Sequence, residues 1–275
     1  MVEGGEEVKP KYNLYSAYPQ CNHLHPPTAF EWVYDGSGSI DFYVDASIPV
    51  NVWDAKDKPR IAIMVEPRTI QPEMYDYIMD HYEPFDIIFT HDDEVLKLPN
   101  ARLMYFMNWY ESFNEPKTKN ISMVCSDKVM CEEHKRRQEL ADILGDRVDH
   151  YGMYKGGRFA DYYECRAEYR FEVVVDNYWG GHWICEKLAN PLASKTIPIY
   201  LGGKHFPDDI DTNGIIIANS IDDILELVDE VLENPIRAYM DRLNAIDRNY
   251  NIIRRYKIFE DWLYSEYREL LEGLS

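Results

Sequence analysis

Short apolar runs rich in β-branched and aromatic side chains alternate along the chain with longer amphipathic stretches. Such runs fall at residues 61–65, 85–90, 103–106, 121–124, 148–151, 173–175, 196–200 and 214–218. Runs of that length, bounded by turn residues, read as strands buried on both faces of a sheet. Helical patterns lie between them. One runs for about ten residues from Pro72, with Met74, Ile78 and Met79 roughly on one face. Others cover 132–144, closed by Gly145, then 183–193, 221–233, 235–249 with proline at its first position, and an aromatic-rich 259–271. Strands that alternate with helices indicate parallel sheets. The polar segment 111–119 reads as a linker, so the expected organisation is two α/β domains, 1–118 and 119–255. A terminal helix, 256–275, is free to pack back on the first domain. Residues 1–57 give no usable pattern, and no internal repeat is present.

The densest chemistry lies in 171–203, FEVVVDNYWGGHWICEKLANPLASKTIPIYLGG. A β-branched run ends at Asp176 and Asn177, Gly180 and Gly181 break the chain, and a helix leads to a second strand ending at Gly202 and Gly203. In this βαβ unit the polar residues gather where a parallel sheet ends and a helix begins, the place where open α/β sheets bind ligands. Phosphates favour helix N-termini because unpaired N–H groups and the helix dipole point at them. The glycines do not form GxGxxG, and βαβ units serve many functions, so spacing alone admits a nucleotide site without requiring one. Glu186 and Lys187 add to the case. Glu186 suits the positive end of the dipole and can accept hydrogen bonds from a ribose. Lys187 is unfavourable there, which a nearby anion would offset. The plain structural reading is a solvated Glu–Lys pair.

The order Asn177, then Trp183-Ile-Cys-Glu186-Lys187-Leu188, then Thr196-Ile-Pro-Ile-Tyr200-Leu-Gly202 resembles the donor-binding signature of the α-1,3-fucosyltransferases, glycosyltransferase family 10. That family carries a Phe-Glu-Asn segment, an aromatic-Val-Thr-Glu-Lys-Leu segment and a Thr-(Ile/Val)-Pro-(Ile/Val) strand ending in glycine. The resemblance implies an α/β GT-B-type glycosyltransferase, two Rossmann-like domains with a cleft between them. The nucleotide sugar would sit on the C-terminal domain and the acceptor would face the N-terminal one. The implied reaction is inverting transfer of L-fucose from GDP-fucose to a glycan hydroxyl, by a single displacement that needs no metal or other cofactor. A general base must take the acceptor proton. Glu66 stands at the end of a buried strand in Met64-Val-Glu-Pro67, which resembles the family's strand-end glutamate segment. Its plain alternative is a loop glutamate capping the helix that follows. Positive charge must stabilise the departing diphosphate. The family has a Ser-Asn strand end followed by a phosphate-binding arginine in the next helix. Cys125-Ser126-Asp127 followed by His134-Lys-Arg-Arg137 resembles this arrangement. Counting back from Leu144 selects Arg137, with Arg136 as the second candidate, and a few extra residues precede the helix. The alternative is that the whole basic run is solvated helix surface. By the same resemblance Lys187 is a phosphate ligand, Glu186 the ribose partner, Asn177 the family asparagine and Trp183 the aromatic before the Glu-Lys pair. Asp176 replaces the family's glutamate, which keeps the charge, shortens the reach and leaves the donor sugar open. The turn 178–182 is bulky, and His182 in it is a further candidate for phosphate or sugar contact.

Composition narrows these readings. The net charge of −20 argues against broad binding to nucleic acid, which needs clustered Lys and Arg. Five irregularly spaced cysteines read as reduced thiols rather than a disulfide framework. No apolar run is long enough to cross a membrane, and the polar, acidic N-terminus does not resemble a signal peptide, so a soluble, cytoplasmic protein of the microbial or viral kind is expected. Cys21, His23 and His25 have metal-ligand chemistry but lack a second pair at a familiar spacing. Two further functions remain open on the sequence. One is the same fold with another nucleotide sugar and a glycan or modified-DNA acceptor. The other is a sugar-nucleotide-binding protein without catalysis.

Overall fold

A computed structural model describes residues 9–16, 25–49, 57–110, 115–157 and 163–274. The chain divides into two compact units. The first comprises residues 1–66, 71–104 and 258–275, the second residues 67–70 and 105–257.

The first unit contains β1 (Lys11–Ser16), β2 (Glu31–Val33), β3 (Asp41–Val44), β4 (Arg60–Ile63), α1 (Pro72–Asp80), β5 (Ile87–Thr90) and β6 (Ala101–Leu103). Its six strands form one parallel sheet in the order β2-β1-β3-β4-β5-β6. Every residue of β4 and β5 is buried, as central parallel strands require. Helix α1 lays Met74, Tyr75 and Ile78 on a core of Ala62, Met64, Phe85, Ile88 and Val95. Met79, placed on that face by the periodicity, is exposed.

The second unit contains β7 (Lys119–Val124), α2 (Glu132–Leu144), β8 (Asp149–Tyr151), β9 (Tyr169–Val175), α3 (Glu186–Leu192), β10 (Ile197–Leu201), β11 (Ile216–Ile217), α4 (Ile221–Glu233), α5 (Pro235–Met240) and α6 (Leu243–Ile252). Its parallel sheet runs β11-β10-β9-β7-β8. Counted from β8, the order is second, first, third, fourth, fifth, a doubly wound arrangement that reverses between β7 and β9. The chain then returns to the first unit with α7 (Phe259–Glu266) and α8 (Arg268–Glu272). There the Asp261 carboxylate accepts the Thr28 and Ala29 amides at 2.7 and 2.9 Å. Tyr264 packs on Phe30 and Tyr267 on Phe89.

Several expectations shift. Residues 105–118 belong to the second unit, so the division falls at 104/105 and not at 118/119. The described part of the segment is anchored there. Trp109 Nε1 donates to the Ile253 carbonyl at 2.8 Å, and Lys117 Nζ donates to the carbonyls of Ala167 and Ser194 at 2.8 and 2.6 Å. The helix expected from 183 begins at Glu186, because Cys185 is held extended (φ −133°, ψ −170°) in a parallel bridge with Phe106. The stretches 235–249 and 259–271 each hold two helices. Strands β1 to β3 were not legible in the sequence at all.

Candidate active site

At the reversal between β7 and β9, two strand ends present Ser126 and Asn177, and α2 leans its buried residues over both. Arg137 is only 6% exposed. Its guanidinium donates to Ser126 Oγ at 3.2 Å, to the Val175 carbonyl at 3.2 Å and to Asn177 Oδ1 at 3.4 Å. Its Nε is buried and has no hydrogen-bond partner among the described residues, an arrangement that costs free energy until a ligand or water accepts from it. His134, one turn earlier, accepts the Met130 N–H at Nδ1 (3.1 Å). The neutral ring therefore carries its proton on Nε2 and donates it to Asn177 Oδ1 at 3.0 Å. Burial, followed by the charges of Arg137 and Lys187, holds the His134 pKa below its ordinary value, so the neutral form is favoured. The Thr69 hydroxyl donates to the Asn177 carbonyl at 2.7 Å. Arg136 points elsewhere: it is exposed, within reach of Glu132, and lies over the Trp179 ring. The two neighbouring arginines are thus separated by helical geometry, one to the sheet end and one to solvent.

Asp176, the residue before Asn177, is fully buried. One carboxylate oxygen faces Lys187 Nζ at 3.3 Å and accepts from Cys185 Sγ at 3.1 Å, while the other accepts from the Tyr200 hydroxyl at 2.8 Å. Lys187 also meets Glu186 at 3.3 Å. Lys187 and Glu186 are 26% and 33% exposed, so both still reach solvent. Burial works against the Lys187 charge, but the Glu186 and Asp176 carboxylates hold its pKa well above the ordinary value. Burial likewise opposes ionisation of Glu186, and Lys187 with the Cys185 thiol and nearby amides brings its pKa below normal. Burial, with Asp176 and Glu186 beside it, keeps the Cys185 thiol protonated. The anion expected to offset Lys187 is therefore supplied from within the chain. Trp183 is buried and its carbonyl faces the Tyr200 hydroxyl. The His182 ring lies 4.6 Å from the His205 ring, tilted by 34°.

Glu66, in the first unit, follows β4 and is half-buried. Its amide donates to the buried Asp45 carboxylate at 3.2 Å, and its carbonyl accepts from the Tyr75 hydroxyl at 2.7 Å. No group of three side chains suited to a metal occurs among the described residues. Cys21 and His23 lie outside them. No described helix is long and apolar enough to cross a membrane.

His134 and Ser126 lay within segments already singled out for their basic and strand-end residues. Tyr200 and Cys185 stood in the signature without a role. Asp45 carried no signal, since the strand before it was not legible.

Two doubly wound parallel sheets, with polar side chains gathered at their carboxyl ends, give the GT-B-type fold. Residues 114–260, more than half of the chain, match the family model described as glycosyltransferase family 10 (fucosyltransferase), C-terminal part. The chain belongs to this family and is a glycosyltransferase. Among solved structures it is similar to an alpha1,3-fucosyltransferase, with 13% identity over 87% of this chain and 83% of the other, at a TM-score of 0.60. An alpha1,3-fucosyltransferase with GDP-fucose gives 13% identity, 88% and 84% coverage and a TM-score of 0.58. T4 phage BGT in complex with UDP and Mn2+ gives 8% identity, 91% and 88% coverage and a TM-score of 0.44. Comparison with curated proteins gave no match.

Proposed function

We propose that the chain is an inverting fucosyltransferase that moves L-fucose from GDP-fucose to a hydroxyl of a glycan. The observation that carries this reading is the family match over 114–260, the stretch that holds every candidate donor residue. In the proposed step the acceptor oxygen attacks the anomeric carbon and its bond to the diphosphate oxygen breaks. GDP departs and Glu66 takes the acceptor proton. Arg137 supplies positive charge to the diphosphate, its buried Nε supporting the assignment. Lys187 supplies the second charge, and Glu186 accepts from the ribose. Asn177 is the hub that fixes His134 and Arg137 at the strand end. Full burial and three internal partners turn Asp176 from a sugar contact into the group that holds Lys187. Burial likewise gives Trp183 a place in the packing of the turn, and exposure leaves Arg136 outside the proposed phosphate set.

Glu66→Gln is expected to keep GDP-fucose affinity and lower transfer by roughly 10²–10⁴-fold, the usual worth of a positioned base. Turnover near that of the unaltered enzyme would remove Glu66 from this role. The donor is tested by thermal shift. GDP at about 100 times its Kd should stabilise the protein by about 2.7 kcal/mol, with UDP inert. The reverse pattern would replace GDP-fucose with a uridine donor.

A further inference from the structure

We propose that Asp45 is the positioning residue for Glu66, its buried carboxylate locking the main chain on which the base is carried. This rests on the reading of Glu66 as the base. Asp45 directly follows β3, the strand paired with β4, in which Val44 lies opposite Ile63. A single oxygen, Oδ1, accepts both the Val65 amide at 2.7 Å and the Glu66 amide at 3.2 Å. The side chain therefore satisfies the amides of the two residues that leave β4. Tyr75 of α1 secures the next peptide by donating to the Glu66 carbonyl at 2.7 Å. Because that proton is committed, the 3.2 Å contact between the Tyr75 hydroxyl and His91 Nε2 must have the imidazole as donor. The Glu66 backbone is thus held at its N–H by the turn after β3 and at its C=O by α1.

Asp45 is itself held in an unusual way. Its φ of +47° lies in the left-handed region that residues other than glycine seldom adopt. Such conformations persist where the surroundings over-determine them, and they gather at functional sites. Here the surroundings are explicit. Ser47 Oγ accepts the Val44 amide at 2.8 Å and donates to the Tyr15 carbonyl at 2.6 Å, and the Ile48 amide closes a turn on the Asp45 carbonyl at 2.9 Å. Burial pushes the Asp45 carboxyl up to about 7 despite the two amides, with the Glu66 charge adding to the rise. A buried carboxylate is a costly way to satisfy two amides, and its position beside the proposed base accounts for it.

The test uses the full chain, GDP-fucose as donor and the best acceptor found on a glycan array. Asp45→Ala should lower kcat by on the order of tenfold or more, the expected effect of a misplaced catalytic group, with KM for GDP-fucose essentially unchanged. Asp45→Asn keeps an oxygen able to accept both amides, so it should recover most of the lost kcat. Tyr75→Phe, which removes only the hydroxyl bonded to the Glu66 carbonyl, should lower kcat in the same sense without moving the donor KM. An unchanged kcat in Asp45→Ala, alongside an inactive Glu66→Gln, overturns the inference and leaves the base assignment standing. A rise in donor KM to match the loss in kcat, or no recovery in Asp45→Asn, also overturns it. An active Glu66→Gln instead removes the base reading itself. Should Asp45→Ala fail to fold, Asp45→Asn and Tyr75→Phe decide: normal kcat in Tyr75→Phe or the low kcat of an unanchored base in Asp45→Asn overturns the proposal.

Discussion

Asp176 shows how much one methylene decides. The family carries glutamate there, and here the shorter side chain is completely enclosed by Tyr200, Cys185 and Lys187. A Cβ on Gly202 would already come within 2.9 Å of its Oδ2, so little room is left. Asp176→Glu should therefore destabilise the protein by about 1–3 kcal/mol, the range for overpacking a filled interior. Asp176→Asn should cost toward the low end of the roughly 3–5 kcal/mol seen when a buried pair loses one partner, since Glu186 remains beside Lys187. Denaturant unfolding measures both, and two variants as stable as the parent would show that the carboxylate is not tightly held. Asp45 yields a prediction about pH. Its folded pKa of about 7 lies above the unfolded value of 3.8, so between these the native state binds the extra proton. That contribution to stability is fully present below about 3.8 and is lost as pH rises through about 7. Asp45→Asn carries no such charge and should gain stability over the parent at pH 8 relative to pH 5, read as the difference in Tm at each pH.

At the level of elements, the sequence is most legible where local residues set the bounds. The helices at Glu132–Leu144 and Ile221–Glu233 have the bounds their patterns indicate, because each is set by nearby residues. Ser220, for example, accepts the Asp223 amide at 3.0 Å and returns a bond to its carboxylate at 2.7 Å. Ser220→Ala should cost about 1 kcal/mol, the usual worth of such a cap, with GDP affinity unchanged; a loss of affinity would tie α4 to the site. Most of the proposed donor residues sit close together in sequence around one βαβ turn, which is why that stretch stands out in the sequence. Their directions are not legible there. Arg136 and Arg137 are adjacent letters, and only the helix phase relative to β9 sends one inward. The turn after β10 is equally a matter of three dimensions. A Cβ on Gly203 would stand 2.1 Å from the Trp183 carbonyl, a backbone atom that cannot step aside. Gly203→Ala is therefore expected to disturb the 183–187 segment and weaken GDP binding, and calorimetry showing an unaltered Kd would refute this.

For the whole molecule, the hidden part of the fold was the beginning. Strand β2 has three residues, none of them buried, and β1 ends in half-buried positions, so neither shows a clean period. The Asp45–Glu66 linkage follows from that gap, because it joins the ends of neighbouring parallel strands rather than residues near in sequence. The return of the chain to its first unit is as consequential. Phe259, Trp262, Leu263 and Leu271 are buried there, so ending the chain after Lys257 should unfold the first unit while the second still binds GDP. Limited proteolysis with a GDP-binding assay would show this, and a protease-resistant first unit would contradict it.

The same chain path sets rules for recombining this enzyme with its relatives. The second unit is one uninterrupted block, 105–257, except for the four residues Pro67–Ile70. It could be exchanged between homologues as a cassette, and on the proposed donor assignment this would change which sugar nucleotide is used; the first unit, split into three pieces, could not be moved in this way. The small detour must travel with the cassette. A chimera that kept its own 67–70 would lose the hydroxyl of Thr69 from the carbonyl of Asn177, and with it a tether on the residue that holds His134 and Arg137.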